Sequence, residues 1–253
     1  MLMNNNIAVL ILAAGKGKRM NNPDIPKVLA KLSNNPLIYY VLKQTSLLEP
    51  LKTVVVVGHK KELVIDYCNN SEFENIEFAY QEQQLGTGNA VLVTEKNLKD
   101  NNYSVLILAG DVPLLRANTL LSFIEKHKEN SSDCSVLSTI APNPSGYGRI
   151  VRDENGYFLR ITEHKDANSD ELNINEINSG IFLVNSQLLF DSLKKISNNN
   201  SQGEYYLTDI IGIMNNENRK VFAFDCAEFN ELQGINTSEE LKIAEEFFNK
   251  NYK

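Results

Sequence analysis

A continuous apolar run near the start of the chain most constrains its fold. Residues 7–14 (IAVLILAA) carry no polar side chain, and Gly15 and Gly17 follow directly. A strand that covers one face of a sheet alternates apolar and polar residues, whereas a continuously apolar strand is buried on both faces. The run is far too short to cross a bilayer. It therefore predicts a strand in the middle of a parallel sheet that helices cover on both sides.

Similar runs recur, separated by amphipathic segments with helical spacing. We predict strands at 7–14, 54–57, 77–80 and 105–108, and helices at 36–48, 60–69, 88–98 and 119–129. Alternation of strand and helix indicates right-handed crossovers and an open, mostly parallel sheet. Ligands of such sheets bind beyond the carboxyl ends of the strands.

The second half of the chain has a different pattern. We predict strands at 135–140, 158–162, 181–184 and 221–224, and helices at 187–196 and 205–214. A capping box that starts at Thr237 predicts a last helix to about Asn249. Residues 165–175 are read as a polar stretch without a predicted element. No repeat or linker interrupts the chain, so we expect one α/β domain whose second half forms a lobe over the carboxyl edge of the sheet.

Charge and cysteine content exclude several classes of protein. Lys and Arg number 25 against 32 Asp and Glu, a net charge of −7, and non-specific nucleic-acid binding needs a basic face. Cys68, Cys134 and Cys226 form no CxxC motif, which indicates reduced thiols rather than a zinc site or disulfides. The first residues lack the basic region of a signal peptide. We expect a cytoplasmic protein that binds neither nucleic acid nor membrane.

The glycine pair after the first strand is accompanied by basic residues. Gly15-Lys16-Gly17 leads into Lys18 and Arg19, and Lys27 follows. Glycines let the backbone approach a ligand with its N–H groups, and the cations favour phosphate. The spacing is not that of a Walker A loop. An ordinary turn with solvated lysines is the alternative.

Two further motifs follow predicted strands. Residues 81–88 (QEQQLGTG) offer amides and glycine backbone that can read the edge of a base. Taken alone, they are better explained as a polar loop that ends in a helix N-cap at Thr87. Asp111 lies just past the strand at 105–108. A carboxylate there suits Mg²⁺, which takes one or two protein carboxylates and leaves other positions to phosphate and water. A turn or cap role for Asp111 is the alternative.

The second half supplies glycines, carboxylates and amides, an inventory that suits hydroxyl-rich ligands. They lie in four motifs: GYGRI (146–150), EHKDA (163–167), EINSG (176–180) and GEYYLTD (203–209). From the residues alone, the chain is predicted to hold a phosphate-plus-polyol site with a metal.

These motifs occur together, in the same order, in one known family. LAAGKGKRM with the later PK, QLGTG, GDVPL and the four second-half motifs, followed by Gly234-Ile235-Asn236, resemble the N-terminal uridyltransferase (pyrophosphorylase) domain of the bifunctional N-acetylglucosamine-1-phosphate uridyltransferase/glucosamine-1-phosphate acetyltransferase. The resemblance covers essentially residues 7–250. The glycine-rich motif is shared by all sugar-nucleotide pyrophosphorylases, whereas GYGRI, EHKDA and GEYYLTD are more specific to the N-acetylglucosamine branch.

The resemblance implies a Rossmann-like nucleotidyltransferase (GT-A-like) domain with helices on both faces of its sheet and a sugar-binding lobe. Within a single domain over 1–253, it implies a nucleotide-binding half (1–130), a sugar-binding half (131–236) and a C-terminal helix (237–253). The implied reaction joins UTP and N-acetylglucosamine 1-phosphate into UDP-N-acetylglucosamine, a cell-envelope precursor, and releases pyrophosphate by Mg²⁺-assisted in-line attack on the α-phosphate.

The resemblance implies a role for each site residue, and two roles each for Lys27 and Asp111. Nucleotide binding falls to Leu12, Ala13, Ala14, Gly15, Lys27, Gln81, Gly86 and Thr87. Catalytic roles fall to Arg19, Lys27 and Asp111, of which Arg19 and Lys27 hold the β- and γ-phosphates. Sugar binding falls to Gly148, Glu163 and Asn178, and Mg²⁺ binding to Asp111 and Asn236. The nucleophile is a phosphate that is largely dianionic at pH 7, so His59, His127 and His164 are not expected to be catalytic.

The sequence departs from the family at two points. Many members have Tyr where this chain has Ala109, and no β-helix acetyltransferase domain follows Lys253. We therefore expect no acetyl transfer by this chain, and a separate acetyltransferase is a candidate partner. Two alternatives remain open: a nucleotidyltransferase for another sugar or nucleotide, and a non-catalytic nucleotide-sugar sensor.

Overall fold

The order of the strands and helices along the chain decides where the site lies. The computed structural model describes residues 6–20, 24–99 and 103–251. The strands are β1 (Ile7–Leu12), β2 (Lys31–Leu32), β3 (Asn35–Pro36), β4 (Thr53–Val57), β5 (Ile76–Tyr80), β6 (Ser104–Ala109), β7 (Cys134–Ile140), β8 (Arg149–Arg152), β9 (Phe158–Thr162), β10 (Glu176–Asn185) and β11 (Val221–Asp225). The helices are α1 (Leu37–Ser46), α2 (Lys61–Asn69), α3 (Thr87–Leu92), α4 (Glu95–Leu98), α5 (Ala117–Glu129), α6 (Ser169–Leu172), α7 (Ser186–Leu193), α8 (Ile210–Asn216) and α9 (Ser238–Asn251).

The main sheet has the strand order β11-β7-β10-β6-β1-β4-β5. Strand β1 pairs in parallel with both β4 and β6, and β4 pairs in parallel with β5. Strand β10 runs antiparallel between β6 and β7, and β11 is again parallel to β7. The hairpin of β8 and β9 joins this sheet through β10. The prediction of an open, mostly parallel sheet is confirmed.

The central strands are buried on both faces, as their continuous apolar sequences predict. Successive residues of a strand point to opposite faces, and here Leu10 and Val56 pack in one core while Ile11 and Val57 pack in the other. Helices α3, α7 and α8 supply side chains to the first core, and α1, α2 and α5 supply side chains to the second. Helices therefore cover both faces of the sheet. Within the described ranges, no helix is long and apolar enough to cross a membrane.

Two predicted helices are shorter than their patterns indicate. The segment 88–98 divides into α3 and α4 at Thr94, whose buried hydroxyl donates to the carbonyl of Val91 at 2.7 Å. The predicted helix 205–214 contains a 3₁₀ turn at Leu207–Asp209 and becomes α-helical only at Ile210.

The second half contains strand and helix residues that its polar sequence did not predict. Strand β10 starts five residues before the predicted 181–184 and includes the EINSG motif, with a bulge between Asn178 and Ile181. Strand β8 was not predicted, and neither was α6 in the polar stretch 165–175, where Asn168 and Glu171 form a capping box. Asn, Ser and Gly are poor strand formers, so the pairing with β7, rather than local preference, extends β10.

The last helix is capped as predicted. The hydroxyl of Thr237 accepts from the backbone N–H of Glu240, and the Glu240 carboxylate accepts from the N–H groups of Asn236 and Thr237. Helix α9 packs Ala244 and Phe248 against Tyr40 of α1. The cap and this packing hold Asn236 in place at the start of the helix.

Burial of His127 on α5 predicts a loss of stability in mild acid. Its Nδ1 lies 2.8 Å from the Ser135 hydroxyl, and burial lowers the pKa of the imidazole to about 4. Because the unfolded chain binds a proton near pH 6.5 and the folded chain does not, stability falls as the pH drops from 6.5 towards 4. We expect this histidine alone to lower the free energy of unfolding by about 2 kcal/mol at pH 5 relative to pH 8. Urea unfolding at both pH values checks this, since His127→Gln should reduce the difference by about that amount.

Candidate active site

The site is built where three strands end or begin at the carboxyl edge of the sheet. Strands β1 and β6 end side by side, with Leu12 paired to Ala109. Strand β10 is antiparallel, and its pairing with β6 begins only at Phe182. Its first residues, including Asn178, therefore extend past the carboxyl end of β6. Residues from both halves of the chain meet at this edge.

A cavity of about 280 Å³ lies at the ends of β1 and β6. Nine predicted residues line it: Leu12, Ala13, Ala14, Gly15, Lys27, Gln81, Gly86, Thr87 and Asp111. Five others that were not predicted as site residues also line it: Val28, Gln84, Ala90, Ala109 and Glu204. The eight residues of the predicted nucleotide-binding set therefore all line one cavity.

Two glycines are required for the shape of this cavity. Gly17 has φ +59°, and a Cβ atom there would lie 2.7 Å from the Cβ of Lys27. Gly86 has φ +111°, and a Cβ atom would lie 2.5 Å from the carbonyl oxygen of Tyr205. Any other residue would push these segments apart. Gly86 is also the N-cap of α3, so the alternative that Thr87 is the cap is wrong.

The side chain of Gln81 is fixed in one orientation. It is buried, and its Nε2 donates to the carbonyl of Gly86 at 3.1 Å and to Oδ1 of Asn89 at 3.0 Å. Turning the amide over would place its oxygen against the Gly86 carbonyl. In the described part of the chain no group donates to the Gln81 oxygen, so this atom can accept a hydrogen bond from a ligand in the cavity.

A cation is held at the wall of the cavity by one carboxylate and one amide oxygen. The Lys27 ammonium forms an ion pair with Asp111 and donates to Oδ1 of Asn236 at 2.8 Å. The side chains of Lys27 and Asp111 are only 15% and 13% exposed, so their attraction is little screened by solvent. The backbone N–H of Ile235 also donates to the Asp111 carbonyl at 2.9 Å. Two residues 125 positions apart in sequence therefore direct their oxygens at the same positive charge.

This oxygen pair fits a hard divalent cation. Lys27 serves as a stand-in ion, because its ammonium occupies the point on which the Asp111 and Asn236 oxygens converge. No group of three or more His, Cys, Asp or Glu residues lies close enough to hold a metal within the described ranges. A site with two protein oxygens suits Mg²⁺ bound together with substrate phosphates and water, and does not suit zinc.

The three residues predicted to bind sugar also lie together. The backbone N–H of Asn178 donates to the Gly148 carbonyl at 2.9 Å. A Cβ atom on Gly148 would lie 3.5 Å from Oε2 of Glu163 and 3.6 Å from the Asn178 Cβ. Glu163 accepts from the Thr208 hydroxyl at 3.0 Å, and burial raises the pKa of its carboxyl group. A glycine backbone, a carboxylate and an amide therefore converge on one small volume.

The GEYYLTD motif connects the two groups of residues. The Gly88 N–H donates to the Tyr205 carbonyl at 2.8 Å, and the Leu207 N–H donates to the Thr87 hydroxyl at 3.0 Å. The next residue, Thr208, reaches Glu163. The motif itself was the only signal in the sequence for Thr208 and Glu204, and spacing alone could not identify them.

The structure does not bring Arg19 into the cavity. Arg19 lies in a 3₁₀ turn (Lys18–Met20) with an exposed side chain, and it is not among the residues that line the cavity. Its predicted phosphate role remains untested by the geometry.

A larger cavity lies at the opposite edge of the sheet. It measures about 570 Å³ and lies between the end of α1 and the starts of β4 and β5, lined among others by Lys43, Thr53 and Ile76. None of the predicted site residues lines it. Size alone is therefore a poor guide to the site of this chain, and convergence of polar groups is the better one.

Comparison with known proteins gives the same family on two independent grounds. The family model described as nucleotidyl transferase matches residues 8–230. The chain is 42% identical over 237 residues to the bifunctional protein GlmU of Streptococcus thermophilus strain LMD-9, and 42% identical over 236 residues to that of Streptococcus agalactiae strain 2603 V/R. These alignments cover 94% and 93% of this chain and 50% of each relative. The chain thus spans about half the length of the curated relatives it matches.

Solved structures share the fold at low sequence identity. UDP-glucose pyrophosphorylase complexed with UDP-glucose superposes with a TM-score of 0.80 at 18% identity, covering 96% of this chain and 98% of that one. A putative glucose-1-phosphate thymidylyltransferase from Bacillus anthracis gives a TM-score of 0.74 at 17% identity, covering 95% and 94%. The family model matches residues 8–230, which is most of this chain, and the fold agrees with that match. The chain therefore belongs to the nucleotidyl transferase family.

Proposed function

We propose that this chain is a uridylyltransferase that makes UDP-N-acetylglucosamine and pyrophosphate from UTP and N-acetylglucosamine 1-phosphate. The observation that carries the proposal is the Lys27 ammonium, which the oxygens of Asp111 and Asn236 hold at the wall of the glycine-lined cavity. The sugar assignment is supported by the motifs around Gly148, Glu163 and Asn178 and by the identity of 42% to the GlmU proteins.

The fixed side chain of Gln81 supports a nucleotide base with a hydrogen-bond donor. Its amide offers an oxygen, which accepts from a donor on a base. The N3–H of uracil and thymine is such a donor, and so are the amino group of cytosine and the N1–H of guanine. The assignment of UTP therefore rests on the sequence motifs and the relatives, and the assay below compares UTP with dTTP.

The reaction is an in-line displacement at the α-phosphorus of UTP. An oxygen of the sugar phosphate forms the new P–O bond, the bond from the α-phosphorus to the bridging oxygen breaks, and pyrophosphate leaves. Since the attacking phosphate is already largely dianionic at pH 7, no side chain has to remove a proton. What the protein must supply is alignment of two polyanions and neutralisation of their charge.

Residues of this chain divide that work. Asp111 and Asn236 would hold Mg²⁺, which supplies positive charge to the phosphate oxygens when it is bound. Lys27 has a flexible four-carbon side chain whose ammonium can turn from Asp111 to the leaving pyrophosphate. We assign Arg19 to the same pyrophosphate charge. Backbone groups of residues 12–15 hold the nucleotide, and Gly148, Glu163 and Asn178 hold the sugar.

Pyrophosphate release tests the proposed function directly. The chain is incubated with Mg²⁺, UTP and N-acetylglucosamine 1-phosphate, and parallel reactions contain glucosamine 1-phosphate, glucose 1-phosphate, dTTP or EDTA. Release that is strongest with UTP and the N-acetylated sugar, and that EDTA abolishes, is the expected result. Release only with another pair would overturn the specificity, and binding of UDP-N-acetylglucosamine without any release would indicate a sensor.

Loss of the Glu163 carboxylate should affect one substrate selectively. The Glu163 carboxylate lies beside Gly148 and accepts from Thr208, so Glu163→Ala is expected to raise the KM for N-acetylglucosamine 1-phosphate about tenfold or more, the effect of one charge-assisted hydrogen bond. The KM for UTP should change less than twofold. Steady-state kinetics with each substrate varied in turn measures both constants. Glu154→Ala, an exposed acid in the turn between β8 and β9, is the matched control, and equal rises in both KM values would remove Glu163 from the sugar site.

A further inference from the structure

A buried arginine next to the sugar residues has no role in the proposed function. Arg149 is 1% exposed, and no carboxylate lies within ion-pair distance of it in the part of the chain that the structure describes. Burial lowers the pKa of its guanidinium, and no charged neighbour contributes to that shift. An unpaired buried charge is costly, so its retention requires a specific use.

The guanidinium has two acceptors, and both belong to residues that flank the sugar site. Its Nη1 donates to the carbonyl of Tyr147, and its Nη2 lies 3.4 Å from Nδ1 of His164. Its Nε has no partner. Because a guanidinium has only donors, the Nδ1 of His164 is the acceptor in this contact.

The two residues that Arg149 contacts are sequence neighbours of two predicted sugar-binding residues. Tyr147 directly precedes Gly148, and His164 directly follows Glu163. Arg149 itself pairs with Thr162 across the hairpin and with Ile177 of β10, one residue before Asn178. Tyr147 lies in the loop before β8, outside the ladder, so the Arg149 bond is what ties its carbonyl to the hairpin.

We propose that Arg149 is a positioning residue for the sugar subsite, which sets the separation between the Gly148 backbone and the Glu163 carboxylate. The inference rests on the proposed function, since it concerns the same site. The planar guanidinium of arginine has two donor nitrogens, which contact Tyr147 and His164 at the same time. The single ammonium of a lysine at this position would contact only one of them. Arginine is therefore required for its geometry rather than for its charge.

The variants Arg149→Met and Arg149→Lys test this. We expect Arg149→Met to raise the KM for N-acetylglucosamine 1-phosphate about tenfold while the KM for UTP stays within twofold, and Arg149→Lys to restore part of the loss. Arg160→Met is the matched control, because Arg160 lies on the same hairpin but is half-exposed and pairs with Glu171. Equal changes in both KM values, or no change in a folded Arg149→Met, would overturn the proposal.

A spectroscopic measurement separates positioning from a general loss of stability. The ¹⁵N shifts of His164 should report an unprotonated Nδ1 that accepts a hydrogen bond in the wild type, and this signature should change in Arg149→Met and not in Arg160→Met. Urea unfolding shows whether each variant is folded. If Arg149→Met does not fold, the KM values and the His164 shifts of Arg149→Lys test the proposal instead. If the wild type turns over another sugar phosphate, the proposed specificity fails, and the same KM comparison is then made with that substrate.

Discussion

Replacing Asp111 by alanine is expected to lower kcat by roughly 10²–10³-fold, the effect of losing a principal group that stabilises charge in a transition state. The reason is that Asp111 supplies the only carboxylate directed at the cation position among the described residues. The fold should persist, because the bond from the Ile235 N–H is made to the Asp111 backbone, which alanine retains. Pyrophosphate release and urea unfolding measure the two effects separately.

Two comparisons make this prediction specific. Asp111→Asn keeps an oxygen but not the charge, so its activity should lie between that of the wild type and that of Asp111→Ala and should need more Mg²⁺. Asp170→Ala removes an exposed acid of α6 and should leave kcat unchanged. A folded Asp111→Ala enzyme with turnover near that of the wild type would exclude Asp111 as a metal ligand.

Lys27→Met should cause the second large loss, a decrease in kcat of roughly 10²-fold, because methionine keeps the length of the side chain and removes its charge. The ammonium of Lys27 forms an ion pair with Asp111, and Gly17 leaves room for Lys27 because a Cβ atom at Gly17 would collide with the Lys27 Cβ. The negative charge that develops on pyrophosphate then loses a neutralising partner inside a partly buried site.

The control for Lys27 is a lysine at the other edge of the sheet. Lys43→Met changes a residue whose ammonium lies over the Tyr39 ring, at 5.8 Å from its centre, and should not affect kcat. Activity that survives in Lys27→Met and falls in Arg19→Met would assign the pyrophosphate charge to Arg19 instead. Both results are read from the same initial-rate assay.

The parallel half of the fold was predictable because its signals are local. Its three central strands, β1, β4 and β6, are continuous apolar runs closed by a glycine within three residues, and such runs have few alternatives to a sheet covered on both faces. The residues that line the cavity follow those strands directly, as Gly15 and Asp111 do. Their proximity follows from topology, since neighbouring parallel strands end at the same edge.

The other half was less predictable because its strands depend on distant pairing. The EINSG segment joins β10 through partners in β7 that lie about forty residues away, and β8 is held by β9 and β10. Similarly, nothing near Arg149 in the sequence shows that it is buried, and nothing near Arg19 fixes where its exposed side chain points. Sequence motifs located the sugar residues, but the contacts that position them are long-range.

The placement of β10 has a consequence for the order in which the chain can fold. Strand β6 is complete at residue 109, yet the partner on its second edge is synthesised only after residue 180. Until then β6 presents an edge of unpaired backbone N–H and C=O groups between largely apolar faces, the kind of edge that pairs with other chains. Protein synthesis must therefore carry the nascent chain through an interval of some seventy residues in which it is prone to aggregation, and a fragment that ends after α5 would remain in that state.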